Sequence, residues 1–327
     1  MGLWKLRLTI LGTLALIIGF TSLIVVVVLN YLGITDIIVV GSLVVFFNVI
    51  QWLIAPFIID LVYKVREPAR GELEWLKEAV ERISRRSGIK PPRLLIAEIP
   101  IPNAFAYGSP IAGSRIAVTR GLLEALPPSE VEAVVGHEIG HLKHRDVAIM
   151  MLVSVLPALV FTIGRWLMIA GLYGSRRSER NEGALFAIGA GLIVASWLLN
   201  LMILGLSRLR EYYADAHSAM VVEDGARKLQ LALTRITLAT SSMRFRGVDP
   251  SSYSHFRALF ITDPIRAVSD AEEIRSLSGD KWLMVEVEKL KSKEPSIWES
   301  IAELFSTHPN IVKRLRALDE LAKTSRI

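Results

Sequence analysis

The chain has 327 residues, of which 52% are apolar, no cysteine, and a formal net charge of +6. The absence of cysteine excludes disulfides and thiolate metal ligands. Much of the excess positive charge flanks apolar runs, where an attraction to anionic lipid accounts for it. We therefore expect no nucleic-acid partner.

Four apolar runs are each long enough to cross a membrane as a helix, which takes roughly 20 residues. They cover residues 8–29, 37–59, 147–172 and 184–206. The first run is longer than the roughly 7–15 apolar residues of a signal peptide, and no small-residue cleavage site follows it. We therefore predict two membrane hairpins, one made of runs one and two and the other of runs three and four.

Lysine and arginine residues predict the orientation of these runs. They lie before run one, after run two, before run three and after run four, whereas the first turn, residues 30–36, has none. The positive-inside rule then places both termini and the segments 64–146 and 207–327 in the cytoplasm. The second turn, residues 173–183, carries arginines and is a local exception.

The segment between the two hairpins is predicted to contain a helix, a small sheet and a second helix. Residues 68–87 have apolar side chains at helical spacing, and Gly88 is placed to end that helix. Turn-forming Pro, Gly and Ser residues separate three strand candidates, which are residues 93–99, 104–107 and 115–119. The second helix is predicted to continue without interruption into run three.

The strongest chemical signal lies on that second helix, where His137, Glu138 and His141 form an H-E-x-x-H motif. Residues four apart share one face of a helix, so both imidazoles can bind one metal ion. Glu138 is placed to act on a metal-bound water, which is the pattern of zinc hydrolases. Ionisable groups so close to an apolar run are costly to bury unless a metal ion satisfies them.

A catalytic zinc ion needs a third protein ligand and an open position for water. The metzincin spacing after His141 is absent, and no cysteine is available. Glu211, just after run four, is the best candidate, because antiparallel packing of runs three and four would return it to the level of the histidines. His217 is a weaker alternative. Asp215 either accepts a hydrogen bond from a ligating imidazole or pairs with an arginine.

Four stretches together resemble the HtpX membrane metalloproteases, relatives of the CAAX prenyl endopeptidases. They are "NAFAYG" (103–108), "GHEIGHLKHRD" (136–146), "EYYAD" (211–215) and "STHPNIVKRLRAL" (306–318). The resemblance implies an ATP-independent zinc endopeptidase that takes part in membrane-protein quality control. It also implies one zinc ion per chain, held by His137, His141 and Glu211, with Glu138 as catalytic base.

The same resemblance implies roles for residues outside the H-E-x-x-H helix. The "NAFAYG" strand is expected to border the cleft, where an extended substrate can pair with its backbone. The substrate-binding candidates are Asn103, Ala104, Phe105 and Ala106. His308 is a candidate for stabilising the developing oxyanion. Arg314 is expected to pair either with Asp215 or with a substrate carbonyl.

The predicted fold is a mainly α, polytopic membrane protein with four transmembrane helices and a cytoplasmic, zincin-like α+β catalytic domain with a small sheet. An N-terminal transmembrane hairpin covers residues 1–63, and residues 64–146 hold the sheet and the H-E-x-x-H helix. A second hairpin covers residues 147–206. A helical segment with the third ligand and the His-Pro motif covers residues 207–327.

The expected partners are the lipid bilayer and polypeptide substrates, chiefly membrane proteins, with cooperation with other quality-control proteases. The expected location is the cell membrane, with the catalytic site facing the cytoplasm. His141 precedes Val147 by six positions, or roughly 9 Å along a continuous helix, so cleavage is predicted close to the membrane surface. The alternative function is a membrane transporter or scaffold with an incidental or non-catalytic metal site.

Overall fold

The computed structural model describes residues 37–173, 179–245, 280–292 and 297–324. The predicted first membrane run, residues 8–29, lies outside this part of the chain. Within it the protein is mostly helical with one small sheet, as predicted.

The described elements alternate helices with a short group of strands near the start. The helices are α1 (Ile37–Val62), α2 (Glu74–Ser87), α3 (Arg120–Ala125), α4 (Pro128–Lys143), α5 (Asp146–Tyr173), α6 (Glu179–Val221), α7 (Gly225–Phe245), α8 (Asp280–Ser292), α9 (Ile297–Leu304) and α10 (Ile311–Thr324). The strands are β1 (Val65–Arg66), β2 (Arg93–Ala97), β3 (Ala104–Ser109) and β4 (Gly113–Thr119).

Three of the described helices are long and apolar enough to cross a membrane. The segments are Gly41–Val62, Asp146–Leu172 and Gly183–Val221, which correspond to predicted runs two, three and four. Helices α5 and α6 pack closely at Gly164 and Gly189, where a Cβ atom added to either glycine would lie within 2.8 Å of the other's carbonyl oxygen. Runs three and four are therefore neighbours, as predicted.

The chain folds into two compact units. One contains the described residues up to Trp52 together with Ala148–Leu206. The other contains Leu53–Val147 and the described residues from Ser207 onward. The whole sheet and all of the predicted site residues belong to this second unit.

The sheet has the strand order β1-β2-β4-β3, with β2 and β4 parallel and the other two pairs antiparallel. Among the described strands β3 is therefore an edge. Its side chains alternate between two buried clusters, as those of a strand covered on both faces should. Ala104 and Ala106 join the core formed with α2 and α4, whereas Phe105 and Tyr107 pack with the end of α1.

Helix α2 confirms the predicted amphipathic helix, although it begins at Glu74 rather than at residue 68. Gly71 and Leu73 both have positive φ angles, of 84° and 59°, so the chain cannot be helical before Glu74. Leu76 and Val80 are buried on its inner face, and Gly88 ends it in the left-handed conformation.

The prediction that the H-E-x-x-H helix continues into run three is wrong. Helix α4 ends at Lys143, and α5 begins at Asp146 after a turn in which Arg145 has a φ angle of 55°. The roughly 9 Å estimate from His141 to Val147 assumed a continuous helix and therefore does not hold. By contrast, α6 runs unbroken from Glu179 to Val221.

Candidate metal centre

His137, His141 and Glu211 come together in the second unit, with the histidines on α4 and the glutamate on α6. The Nε2 atoms of the two histidines are 3.1 Å apart. Nε2 of His141 lies 3.4 Å from Oε1 of Glu211, and Nε2 of His137 lies 3.7 Å from Oε2. These are the three side chains that the sequence singled out as ligands.

These separations fit one metal ion. Nitrogen and oxygen ligands at roughly 2.0–2.2 Å from a tetrahedral zinc ion lie roughly 3.3–3.6 Å from each other. The observed distances of 3.1, 3.4 and 3.7 Å are spread around that range. The donor set of two imidazoles and one carboxylate leaves a fourth position for water, which is the composition of a catalytic zinc site.

The polar atoms around this point also favour a cation. Within the described residues, Oε2 of Glu211, Nδ1 of His137 and both ring nitrogens of His308 are buried without a well-directed hydrogen bond. Native proteins leave few buried polar atoms in that state unless an ion, a ligand or water satisfies them. A metal ion bound by the His–His–Glu set would give Oε2 of Glu211 a direct partner in addition to the Arg314 guanidinium, whose Nη1 lies 3.2 Å away.

Two glycines let α4 and α6 approach closely enough to form the site. A Cβ atom added to Gly136 would lie 2.7 Å from the Val222 side chain, and one added to Gly140 would lie 3.1 Å from Cα of Ala214. The glycines are four residues apart and so share one helix face, each directly before a histidine. The sequence analysis missed their role, although the repeated Gly-His pair in "GHEIGH" was a visible signal.

Gly140→Val should therefore lower the stability of the protein and its zinc content together. The valine side chain has to push α6 away, and overpacking of this kind typically costs about 1–3 kcal/mol. Thermal unfolding and metal analysis of the purified variant would measure both effects. Gly191→Val is the matched control, because a Cβ atom at Gly191 meets nothing within 4 Å among the described residues. Equal behaviour of the two variants would contradict the close approach of α4 and α6.

Asp215 and Arg314 form a buried pair behind the first histidine. Nδ1 of His137 lies 2.9 Å from Oδ1 of Asp215. Arg314 donates to both oxygens of Asp215, from Nε at 2.9 Å and from Nη2 at 2.6 Å. Its Nη1 is 3.2 Å from Oε2 of Glu211. Asp215 thus contacts an imidazole and an arginine at the same time. The sequence left two partners open for Arg314, Asp215 or a substrate carbonyl, and in the structure Arg314 pairs with Asp215.

A second carboxylate supports the other histidine, and the sequence analysis missed it. Nδ1 of His141 lies 2.7 Å from Oδ2 of Asp146, which also pairs with Arg210. The contact depends on the turn at Arg145, because in a continuous helix residues five apart do not face each other. A carboxylate on the far nitrogen of an imidazole fixes its tautomer and orientation for metal binding.

Glu138 lies between the candidate metal ligands and the edge of the sheet. The Ala106 N–H donates a hydrogen bond of 2.7 Å to Oε2 of Glu138. Burial raises the pKa of the Glu138 carboxyl above its ordinary value, although the nearby His137 and His141 act in the opposite direction. A carboxylate with a raised pKa is a better proton acceptor at neutral pH.

His308 lies beside the third ligand. Its Nδ1 is 3.1 Å from Oε2 of Glu211, and the side chain is buried. Arg208, one turn before Glu211 on α6, donates from Nη1 to the carbonyl oxygens of Glu303, Leu304 and Ser306 and so holds the loop that carries His308. The sequence analysis did not identify Arg208, because nothing in the local pattern links it to residues almost a hundred positions later.

The remaining candidates have different surroundings. Asn103 is buried directly before β3. Its backbone N–H donates a hydrogen bond of 2.8 Å to Oγ1 of Thr119, and its carbonyl oxygen accepts one from the Thr119 N–H. His217, the alternative third ligand, instead lies 2.8 Å from the hydroxyl of Ser87. It is not part of the His–His–Glu group.

Comparisons with known proteins identify the family of the chain. The sequence profile of Peptidase family M48 matches residues 71–322. A protease HtpX homolog from Aeropyrum pernix is 47% identical over 277 residues, which is 84% of this chain and 82% of the relative. A protease HtpX homolog from Thermoplasma acidophilum is 38% identical and covers 97% of this chain and 96% of its own.

One solved structure has a similar fold. The crystal structure of S. mikatae Ste24p matches 97% of this chain and 66% of its own length, with a TM-score of 0.55 and 18% sequence identity. At that identity the likeness establishes the fold alone. The family profile covers the H-E-x-x-H helix, the Glu211 helix and Arg314 together. In the structure, two imidazoles and a carboxylate also lie around one point. This chain belongs to peptidase family M48 and is a metalloprotease.

Proposed function

We propose that the protein is a zinc-dependent endopeptidase of the membrane that cleaves cytoplasmic segments of misfolded or damaged membrane proteins. Zinc would be bound by His137, His141 and Glu211, with Glu138 as the general base. The observation that carries this proposal is the buried His–His–Glu group with Glu138 beside it. Bound zinc would activate a water molecule and polarise the substrate carbonyl.

The groups around the proposed ligands fit supporting roles. Asp215 and Asp146 would each hold the far nitrogen of one histidine and so keep the nitrogen that faces the metal free of a proton. Arg314 would neutralise Asp215, because a buried carboxylate needs a partner. His308 would donate to the oxyanion that develops on the substrate carbonyl. The position of His308 beside Glu211, with Nδ1 at 3.1 Å from Oε2, supports that role.

The edge of β3 is the proposed binding surface for an extended substrate. Ala106 directs its N–H to Glu138 rather than to β4. In an antiparallel pair the backbone groups of alternate residues point in opposite directions, so Ala104 shares this outward direction. An extended peptide adding to this edge would pass directly beside the proposed base. Asn103 and Phe105 would support that edge from the side of β4.

Ala104→Pro should leave the zinc content unchanged and raise KM by about 2- to 10-fold, because Ala104 shares the outward direction of Ala106 but is not the residue that donates to Glu138. Proline removes an outward-facing N–H without breaking the β3–β4 ladder, and one lost hydrogen bond corresponds to about 0.5–1.5 kcal/mol. Steady-state kinetics on a short peptide substrate would measure the change. Phe105→Pro is the matched control, because it removes an inward-facing N–H and should unfold the sheet. An unchanged KM in a folded Ala104→Pro variant would exclude this edge as the binding surface.

The membrane location of the proposed substrates is supported by the apolar helices and by the basic residues that flank them. The proposed arrangement has four membrane-spanning helices in two hairpins, with both termini and the catalytic segments 64–146 and 207–327 in the cytoplasm. The charge pattern supports the cytoplasmic side, because lysine and arginine flank the runs on the side where the catalytic segments lie.

The protein reconstituted in vesicles together with a tagged model membrane protein would test this function. We expect chelator-sensitive cleavage at unfolded cytoplasmic segments of the substrate, with the cut sites mapped by mass spectrometry. Cuts confined to the opposite side of the membrane would show that the proposed topology is inverted. Bound zinc without cleavage of either this substrate or casein would favour a scaffold with a non-catalytic metal site.

A further inference from the structure

The hairpin formed by β3 and β4 ends in a short tip with an exposed aliphatic side chain. Ser109 pairs with Gly113, so the tip consists of Pro110, Ile111 and Ala112. Gly113 has a φ angle of 71°, which is typical of a three-residue hairpin loop. Ile111 is 64% exposed. A single exposed isoleucine is common on protein surfaces, so its surroundings decide what it means.

The tip is attached to the apolar part of α1. The hydroxyl of Ser109 donates a hydrogen bond of 3.1 Å to the carbonyl oxygen of Leu53. Leu53 lies seven residues before Asp60, the first charged residue after apolar run two, which is roughly 10 Å along the helix. The tip therefore lies beside a stretch of helix that is apolar and long enough to cross a membrane.

The neighbouring face of α1 is exposed and apolar. Ile54, Phe57 and Ile58 are between 45% and 48% exposed. Aliphatic and aromatic side chains on such a helix face lipid rather than water. Ile111, two residues after the Ser109 that contacts Leu53, adds a further exposed apolar side chain on the hairpin.

Polar groups mark a boundary two residue pairs behind the tip of the hairpin, towards the body of the sheet. The Tyr107 hydroxyl donates to Oδ1 of Asp60 at 2.5 Å, and Arg115 pairs with Asp60. The Arg115 guanidinium also lies 5.3 Å from the ring centre of Phe57. The side chains of tyrosine and arginine have an apolar body and a polar end, and such side chains are characteristic of the membrane–water interface.

A further cation lies beside the tip itself. Arg93, which is exposed at the start of β2, donates a hydrogen bond of 2.8 Å to the carbonyl oxygen of Ala112. Its remaining guanidinium surface can reach lipid phosphates. The polar contacts with Asp60 therefore lie at the Tyr107–Arg115 pair, the exposed apolar side chain of Ile111 lies at the tip, and Arg93 is the cation beside the tip.

From these observations we propose that residues Pro110–Ala112 insert into the surface of the lipid bilayer next to α1. The occupant is lipid because the tip is continuous with the exposed apolar face of a membrane-crossing helix. Insertion would bury Ile111 among acyl chains and place Arg93 and Arg115 at the level of the headgroups.

Insertion of the tip would fix the distance between the membrane surface and the β3 edge where substrate is proposed to bind. This consequence rests on the proposed function. Ala106, whose N–H contacts Glu138, is three residues before Ser109 on β3, or roughly 10 Å at 3.3 Å per residue. A chain that leaves the bilayer beside the hairpin would then reach the proposed base within a few residues. The inserted tip would act as a rigid spacer between lipid and catalytic site.

Fluorescence quenching tests the insertion without depending on catalysis. The chain has no cysteine, so Ile111→Cys provides a unique site for an environment-sensitive dye in the full-length protein reconstituted in vesicles. We expect quenching of this dye by lipids brominated on the acyl chain. Phe57→Cys on α1 is the lipid-facing control, and Glu81→Cys on the exposed side of α2 is the aqueous control. A dye at residue 111 that behaves like the one at residue 81 would overturn the proposal.

Cleavage assays test the consequence separately. Ile111→Asp should lower cleavage of a membrane-tethered substrate about tenfold, which corresponds to losing the partial burial of one isoleucine. Cleavage of soluble casein should be unchanged, and Ile111→Leu should behave like the wild type on both substrates. An equal loss on both substrates would indicate local damage and overturn the spacer role. Failure of the proposed function itself would appear as no cleavage by the wild type.

Discussion

Glu138→Gln should keep the fold and the bound zinc while lowering the rate of cleavage about 10²–10⁴-fold, the contribution that is typical of general acid–base catalysis. A carboxylate can take the proton from metal-bound water and later deliver it to the leaving amine, whereas an amide can do neither. The glutamine keeps an oxygen that can accept the Ala106 N–H, so β3 should stay in place. Zinc content and kcat of the purified variant are the measurements.

A Glu→Gln change elsewhere on the same helix is the matched control. Glu132, also on α4, lies five residues before His137 and pairs with Arg82 at 2.8 Å. Glu132→Gln should cleave at nearly the wild-type rate. Near-normal cleavage by Glu138→Gln would contradict the assignment of the base. The inactive variant should also survive purification longer, because the wild type can digest itself.

Glu211→Ala should lose most of the bound zinc and all measurable cleavage, and His141→Ala should do the same. Each change removes one of three proposed ligands whose donor atoms lie within 4.8 Å of one another. Metal analysis after dialysis would measure the loss. His144→Ala is the matched control for the histidine change, because His144 is an exposed residue just beyond the motif.

A second variant separates the loss of a ligand from the loss of a buried charge. Glu211 is a contact of Arg314, and removing one partner of a buried ion pair typically costs about 3–5 kcal/mol. Glu211→Gln keeps the shape and the polar contact but offers only an amide oxygen to the metal. We expect weakened zinc binding in a folded protein. Full zinc retention in both variants would transfer the third ligand to His308, which is 3.1 Å from Oε2 of Glu211.

The features that the sequence predicted well are those that depend on local periodicity. The i, i+4 spacing of His137 and His141 follows from the helix repeat alone. The apolar spacing of α2 and the punctuation between the strands are local in the same sense. Glu211 required one further assumption, that runs three and four are neighbours, and the glycine contact between α5 and α6 agrees with it.

The features that the sequence analysis missed arise from contacts between distant segments. Asp146 reaches His141 only because the chain turns at Arg145, and no pattern predicted a break in an apparently continuous helix. The hydrogen bond from Ala106 to Glu138 involves a backbone group, which carries no side-chain signal. Strand β1 has two residues and pairs through its backbone, so it is too short for a detectable alternation.

Metal analysis of the purified wild-type protein, combined with a zinc titration of its activity, tests whether cleavage depends on one bound zinc ion. We predict one zinc ion per chain, loss of casein cleavage when a chelator removes it, and recovery of cleavage as zinc is added back to one equivalent. Full cleavage by a protein from which the chelator has removed all metal would contradict zinc-dependent cleavage.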